Sequence, residues 1–244
     1  MAILSDRLKA VAGMITPGLP VADIGCDHAY LPIHLAKEDI SPRIIACDIN
    51  AGPILRASEN IDDVDMGDRI EVRQGDGLSV IEPGEVASVV IAGMGGRLMM
   101  KILTEGREVL RQVREIILEP QSEVGALRHF LQDEGYRIIS ENMVSEDDKY
   151  YPVIKAIPGQ MDWDREIYFR YGKILLREEN PVLHEFLLRE KQYLGDLLIE
   201  LSENEEIAHV FVRMEEVKTD LSLNTDALTL VSEPGLFETQ REIN

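Results

Sequence analysis

Positive charge is scarce in this sequence. The 244 residues carry 25 Lys and Arg against 45 Asp and Glu, for a net charge of −20 at pH 7. The deficit is spread along the chain: residues 1–155 hold 16 basic and 26 acidic side chains, and the rest hold 9 and 19. Broad, non-specific binding to nucleic acid or to an anionic membrane needs many phosphate-neutralising cations, so neither is expected. A specific RNA contact through a local basic patch stays open.

Other absences narrow the class. Cys26 and Cys47 are the two cysteines, each at the end of an expected strand. Reduced thiols in a cytoplasmic protein are the expectation. No uninterrupted apolar run of about 18 residues occurs, so no membrane-spanning helix is expected. The start, M-A-I-L-S-D-R-L-K-A, lacks a basic stretch followed by a long apolar one, so no secretory signal is expected. Neither an internal repeat nor a low-complexity segment is found. Hydrophobic residues make up 45% of the chain, enough for a real core. The length suits one domain with a sizeable appendage, or two domains.

A further absence concerns glycine. Val21 to Pro32 reads V-A-D-I-G-C-D-H-A-Y-L-P, an apolar strand, a tight turn and a helix from about Ala29. That is the mouth of a nucleotide-binding α/β sheet, whose ligands lie beyond the carboxyl ends of the strands. A dinucleotide site wants G-x-G-x-x-G there, so that amides can approach a pyrophosphate. Here only Gly25 is present, and Asp27 stands where phosphate charge would arrive. NAD and ATP are disfavoured. S-adenosylmethionine, with an ammonium, a sulfonium and no phosphate, suits an acid-rich turn.

The rest of the first part alternates strand and helix. A helix over 4–15, with Ser5 as a possible cap, stops at Pro17-Gly18. Strands follow at 43–49, 70–77, 86–94 and 115–120, with helices at about 29–37, 51–60, 97–110 and 122–134 between them. Segments 136–144 and 149–157 leave no room for a helix and read as an antiparallel pair. The fold class is therefore α/β, a mostly parallel Rossmann-like sheet covered on both faces, with an antiparallel strand hairpin at its end.

Pro158-Gly159 marks the expected boundary between a domain at 1–158 and one at 159–244. Beyond it Ile207, Val210, Met214, Val217 and Leu221 recur at heptad spacing, as do Leu187, Leu194, Leu197 and Leu201, with Glu190 breaking the pattern once. Two such helices joined at S-E-N-E-E read as a coiled-coil hairpin, which offers a face for a homodimer.

Candidate cofactor contacts collect at the strand ends. They are Asp23, Gly25 and Asp27 after the first strand, Asp48 and Ile49 after the second, Asp76 and Gly77 after the third, and Gly93, Met94 and Gly95 after the fourth. Asp48 is placed to accept ribose hydroxyls, and Asp76 an adenine amino group. Each has an ordinary alternative: Asp23 or Asp48 as a cap, Gly93–Gly96 as a tight turn, His28 as a helix-start residue, and Tyr150 and Tyr151 as strand packing.

D-I-G-C-D-H-A-Y-L-P, G-D-G-L, I-A-G-M-G-G and E-D-x-K-Y-Y together resemble the bacterial tRNA adenine-22 methyltransferase family, which makes 1-methyladenosine in the D-loop region. The resemblance covers about residues 4–157. It implies a class I methyltransferase sheet, S-adenosylmethionine as donor and a C-terminal coiled coil. One departure stands out. L-Q-P with a following polar residue is expected after the fifth strand, and this chain has Leu118-Glu119-Pro120-Gln121.

The expected chemistry is direct attack of the adenine ring nitrogen on the sulfonium methyl, with no metal. Asp27 would stabilise the cationic base, and Tyr30 or His28 would hold it unstacked. For tRNA the richest cationic stretch is Arg97, Lys101, Arg107 and Arg111 with Arg114, joined by Arg7 and Lys9 of the first helix. Solvated charge on a sheet-covering helix is the plain alternative. The competing functions are methylation of DNA, protein or a small molecule, and a non-catalytic S-adenosylmethionine-binding or scaffold protein.

Overall fold

A computed structural model of the chain describes residues 4–203 and 207–232. These fall into two compact units that divide between Asp162 and Trp163, just past Pro158-Gly159.

The first unit is built around one seven-stranded sheet. Its strands are β1 (Val21–Ile24), β2 (Ile44–Asp48), β3 (Ile70–Gln74), β4 (Ser88–Gly95), β5 (Glu115–Ser122), β6 (Tyr136–Glu146) and β7 (Lys149–Pro158), in the order β3-β2-β1-β4-β5-β7-β6. The first five are parallel, and β7 lies antiparallel to both β5 and β6. The central strands β1 and β2 are buried over Val21–Ile24 and Ile44–Cys47. Both sheet faces are therefore covered, as a parallel sheet requires. The helices are α1 (Asp6–Met14), α2 (Tyr30–Lys37), α3 (Ala51–Asp62), α4 (Gly96–Glu105), α5 (Arg107–Leu110) and α6 (Val124–Asp133). Ser5 caps α1 by accepting from the Leu8 N–H at 3.3 Å. Between α6 and β6, Arg128 Nε donates to Glu141 Oε1 at 2.8 Å, and both side chains are buried.

Two expected helices differ from the sequence reading. The helix expected from Ala29 starts at Tyr30, because Ala29 takes a left-handed φ of 58°. The helix expected over 97–110 is two helices. The chain breaks at Gly106, where a Cβ would overlap the Leu78 side chain, so α4 and α5 do not share one continuous face.

The second unit contains α7 (Glu166–Tyr171), α8 (Lys173–Arg177), α9 (Pro181–Ser202) and α10 (Ala208–Ser232). The last two pack together as expected, burying Leu183, Leu187 and Leu194 against Met214, Val217, Ala227 and Leu230. The joint expected at S-E-N-E-E lies largely outside the described residues. Glu190, the break in the heptad, is an acceptor here. Its Oε2 takes Tyr171 Oη at 2.6 Å and Asn224 Nδ2 at 2.9 Å. Helices α7 and α8 have no counterpart in the sequence reading. They are too short to show a helical period, and their apolar residues are buried all round.

Candidate functional site

The strand order reverses between β1 and β4, and a cavity of about 330 Å³ opens at that point, beyond the carboxyl ends of the strands. In an open α/β sheet this crevice is where ligands bind. The turn after β1 forms one wall. Gly25 has φ 79°, and a Cβ there would overlap Met94 Cε. The N–H groups of Gly25 and Cys26 both donate to Cys47 O at 2.8 Å, which ties the turn to β2. Asp27 and Ala29 also sit at positive φ, 48° and 58°. Such conformations cost about 1 kcal/mol or more for a non-glycine residue, and they concentrate at functional sites. Asn60 Nδ2 on α3 donates to His28 O at 2.9 Å and braces the turn from behind.

The turn at the end of β4 forms the opposite wall. Gly93 has φ 78°, and the register with β5 slips between Ala92 and Met94 and again between Met94 and Gly95. This bulge sends Met94 towards the cavity. Gly96 has a packing reason to be glycine: a Cβ there would lie 2.7 Å from Ser122 O and 2.9 Å from Glu123 O.

Three acids, Asp23, Asp27 and Asp48, line the cavity. Asp23 is buried, and that burial, with Asp48 nearby, pushes its carboxyl up to about 7. Asp48 Oδ1 accepts from the Asn50 N–H at 2.9 Å, and Asn50 itself makes no side-chain cap bond, so a simple helix cap does not account for this pair. Asp27 is largely exposed at the mouth, 3.5 Å from His28 Nε2. The rings of His28 and Tyr30 stack with centroids 5.5 Å apart.

The structure adds a second group that the sequence reading did not assemble. Glu119 is fully buried. Its Oε2 accepts from Arg7 Nη1 at 2.6 Å and from the Gly93 N–H at 2.7 Å. Burial raises its carboxyl above the ordinary range, and Arg7 and the Gly93 N–H oppose that rise. The Arg7 guanidinium lies 5.4 Å from the centre of the Tyr151 ring. Arg7, expected as an RNA contact, lines this cavity. Tyr151, whose ordinary alternative is strand packing, lies on β7 beneath this guanidinium. Gln121 also lines the cavity.

Of the predicted cofactor residues, Asp23, Gly25, Asp27, Asp48, Gly93 and Met94 meet at this cavity, together with His28 and Tyr30. Gly95 stands one residue further on, beside Ser122 Oγ. Ile49 is exposed beyond β2. Asp76 and Gly77 border a separate cavity, with the 3-10 turn Gly77–Val80, α4 and α5. The strand expected to reach them ends at Gln74. The other predicted RNA residues are on the surface, three of them with acidic neighbours. Arg97 pairs with Glu123 at 2.8 Å, Lys101 with Glu105 at 3.8 Å, and Arg107 with Glu134 at 2.5 Å. Arg111 is exposed at the end of α5. A larger cavity of about 530 Å³ over α2 and α3 shares Tyr30 but not the glycine turns or the buried acids. Among the described residues no three His, Cys, Asp or Glu side chains gather as a metal site would need.

Comparison with known proteins agrees with this geometry. Residues 4–154 match a family model described as a methyltransferase domain. The chain is 36% identical over 205 residues to the tRNA (adenine(22)-N(1))-methyltransferase of Bacillus subtilis, covering 82% of this chain and 86% of that one. The crystal structure of the B. subtilis m1A22 tRNA methyltransferase TrmK superposes with a TM-score of 0.85 at 32% identity, over 93% of this chain and 100% of that one. Streptococcus pneumoniae Sp1610, solved in complex with S-adenosyl-L-methionine, superposes with a TM-score of 0.83 at 31% identity, again over 93% and 100%.

Proposed function

This chain belongs to the tRNA (adenine(22)-N(1))-methyltransferase family, and on that premise we propose that it forms 1-methyladenosine at position 22 of tRNA, with S-adenosylmethionine as methyl donor. The observation that carries the reading is the convergence of Asp23, Asp27 and Asp48 with two glycine turns at the switch point of the sheet. An acidic, glycine-walled cavity without a phosphate-binding fingerprint fits a cationic nucleoside donor better than a dinucleotide.

S-adenosylmethionine supplies an electrophilic methyl on a sulfonium. The chain supplies position and charge. Asp48, at the end of β2, is the acceptor for ribose hydroxyls. Gly25 and Gly93 keep the two walls free of side chains. Asp27, at the mouth, faces the entering base, which becomes cationic as it is methylated. The ring nitrogen already carries an in-plane lone pair at neutral pH, so no base has to act before attack. The stacked His28 and Tyr30 offer a surface for the unstacked adenine. A cytoplasmic location follows from a tRNA substrate. Pairing of two copies through the second unit is supported by exposed Tyr193, Ile199, Phe211 and Val212, and sedimentation of the full chain decides it.

The direct test is labelled methyl transfer to unmodified bulk tRNA, with nucleoside digestion. Label in 1-methyladenosine supports the reading. Label in another nucleoside, or in DNA or protein alone, replaces the substrate.

A pH dependence follows from Asp23. Its folded carboxyl, near 7, lies above the unfolded value of 3.8. The folded, ligand-free state therefore holds the proton more tightly, and this contribution to stability is lost as pH rises from about 4 through 7. A cationic ligand favours the ionised form. S-adenosylmethionine affinity should thus rise by about three- to tenfold between pH 6 and pH 8. Asp23→Asn should flatten that rise, as read by titration calorimetry, and an unchanged slope would remove Asp23 as its source.

The basic segment is proposed as the tRNA contact. Its ion pairs are exposed, worth at most about 1 kcal/mol each, so phosphates can displace the carboxylates. Replacing Arg97, Lys101 and Arg107 by alanine should weaken tRNA binding and flatten its salt dependence by about one unit of log–log slope per lost phosphate contact. S-adenosylmethionine affinity should not change. A wild-type salt slope in the triple variant would make the segment plain surface and turn attention to the second unit.

A further inference from the structure

Glu119 stands where family resemblance leads one to expect glutamine, and it is not an idle exchange. Both of its donors, Arg7 Nη1 and the Gly93 N–H, fall on a single oxygen, Oε2. The other oxygen, Oε1, is buried and has no hydrogen-bond partner. A glutamine could accept the same two bonds through its one carbonyl oxygen. What a carboxylate adds here is negative charge, at the cost of a buried, unpartnered acceptor.

That charge has a clear counterpart. Arg7 reaches in from α1, lies over Tyr151 and lines the cavity, and its side chain is only 22% exposed. At an Nη1–Oε2 separation of 2.6 Å the two groups are in direct contact as an ion pair. Left uncompensated, this guanidinium would oppose any cation entering the same poorly solvated space. Gly93 lies beside both groups. Its N–H points to Glu119, and a Cβ on it would lie 3.5 Å from Arg7 Nη1.

Resting on the methyl-donor reading above, we propose that Glu119 is a positioning and charge-compensating residue: it cancels Arg7 and pins the Gly93 turn, so that the cavity admits a cationic sulfonium. The consequence is selectivity between the two forms of the cofactor. S-adenosylmethionine carries the sulfonium charge and S-adenosylhomocysteine, its demethylated product, does not. Apart from the methyl and its charge they share every group. By cancelling Arg7, Glu119 therefore keeps the cavity from disfavouring the methyl-loaded form, which limits inhibition by product.

The test is titration calorimetry of the full chain with each ligand at pH 8, where Asp23 is ionised in its majority. Glu119→Gln keeps the shape and the two accepted hydrogen bonds, removes the charge and puts an amide NH2 where Oε1 stood. It should weaken S-adenosylmethionine about tenfold and leave S-adenosylhomocysteine within about twofold. The double variant Arg7→Gln, Glu119→Gln should restore the wild-type ratio of the two affinities. A merely structural role would weaken both ligands equally, and that result overturns the proposal, as does an unchanged ratio in Glu119→Gln. Should Glu119→Gln fail to fold, Arg7→Gln must move the ratio the other way, towards tighter S-adenosylmethionine, and a ratio that does not move there is equally fatal. Wild-type protein that binds neither ligand would overturn the methyl-donor reading itself. Wild-type binding with unshifted variant ratios would overturn the role of Glu119 alone.

Discussion

Asp27→Asn is expected to lower methyl transfer to tRNA by about a hundredfold and to leave S-adenosylmethionine affinity within about threefold, because a lone preorganised charge acts on the cationic product side of the reaction. Asparagine is the informative substitution. Asp27 sits at φ 48°, and asparagine is among the few residues that tolerate the left-handed region as aspartate does. The turn should therefore persist while the charge disappears. The carboxylate is largely exposed in the free protein, so water screens it there, and its full effect is reached only when a bound base excludes that water. His28→Ala should cost less, since no proton need move before attack. Single-turnover rates with saturating tRNA, beside calorimetric affinities, separate the two effects. Near-normal turnover in Asp27→Asn would take Asp27 out of the mechanism.

The largest expected loss of stability lies far from the cavity mouth. Arg128 and Glu141 form a buried pair at 2.8 Å between α6 and β6, with side chains 1% and 0% exposed. Arg128→Leu leaves the Glu141 carboxylate buried without its guanidinium, a loss of about 3–5 kcal/mol. Arg128→Leu with Glu141→Leu should recover much of that, because two apolar side chains of similar volume need no mutual neutralisation. Urea midpoints at an unchanged slope give the comparison. A single variant within about 1 kcal/mol of wild type would show that the site is hydrated or relaxes. A double variant no better than the single would show that packing, and not charge, sets the cost.

Much of the sheet was legible in the sequence, because strands and helices announce themselves locally. Val21, Ala22 and Ile24 form a short apolar strand, interrupted by Asp23 and closed by a glycine. The segments that became β6 and β7 leave no room for a crossover, and an antiparallel pair is the remaining solution. Leu187, Leu194, Met214 and Val217 recur at a spacing only a packed helix pair satisfies. Where local signals were weak, the reading missed. Helices α7 and α8 are a turn or two long and apolar on all sides. The need for glycine at the Gly106 break comes from Leu78, nearly thirty residues away in sequence. The expected carboxyl end of β3 lies three residues too far, because Gly75-Asp76-Gly77 looks like a strand end and is in fact the entry to a 3-10 turn.

By itself the sequence determined which strand ends carry acids and glycines, and hence that a cationic nucleoside donor fits and a pyrophosphate does not. That much is a property of short segments, in which residue type and position along a strand decide what is presented. Only the tertiary structure decided which charges cancel. Arg7 comes from α1, Glu119 from β5 and Tyr151 from β7, and nothing in their spacing brings them together. Arg107 meets Glu134, and the apparent flaw at Glu190 becomes an acceptor for Tyr171 and Asn224. A charge acts through its distance to other charges and through the water excluded around it, and both are set by packing between segments that are distant in the chain.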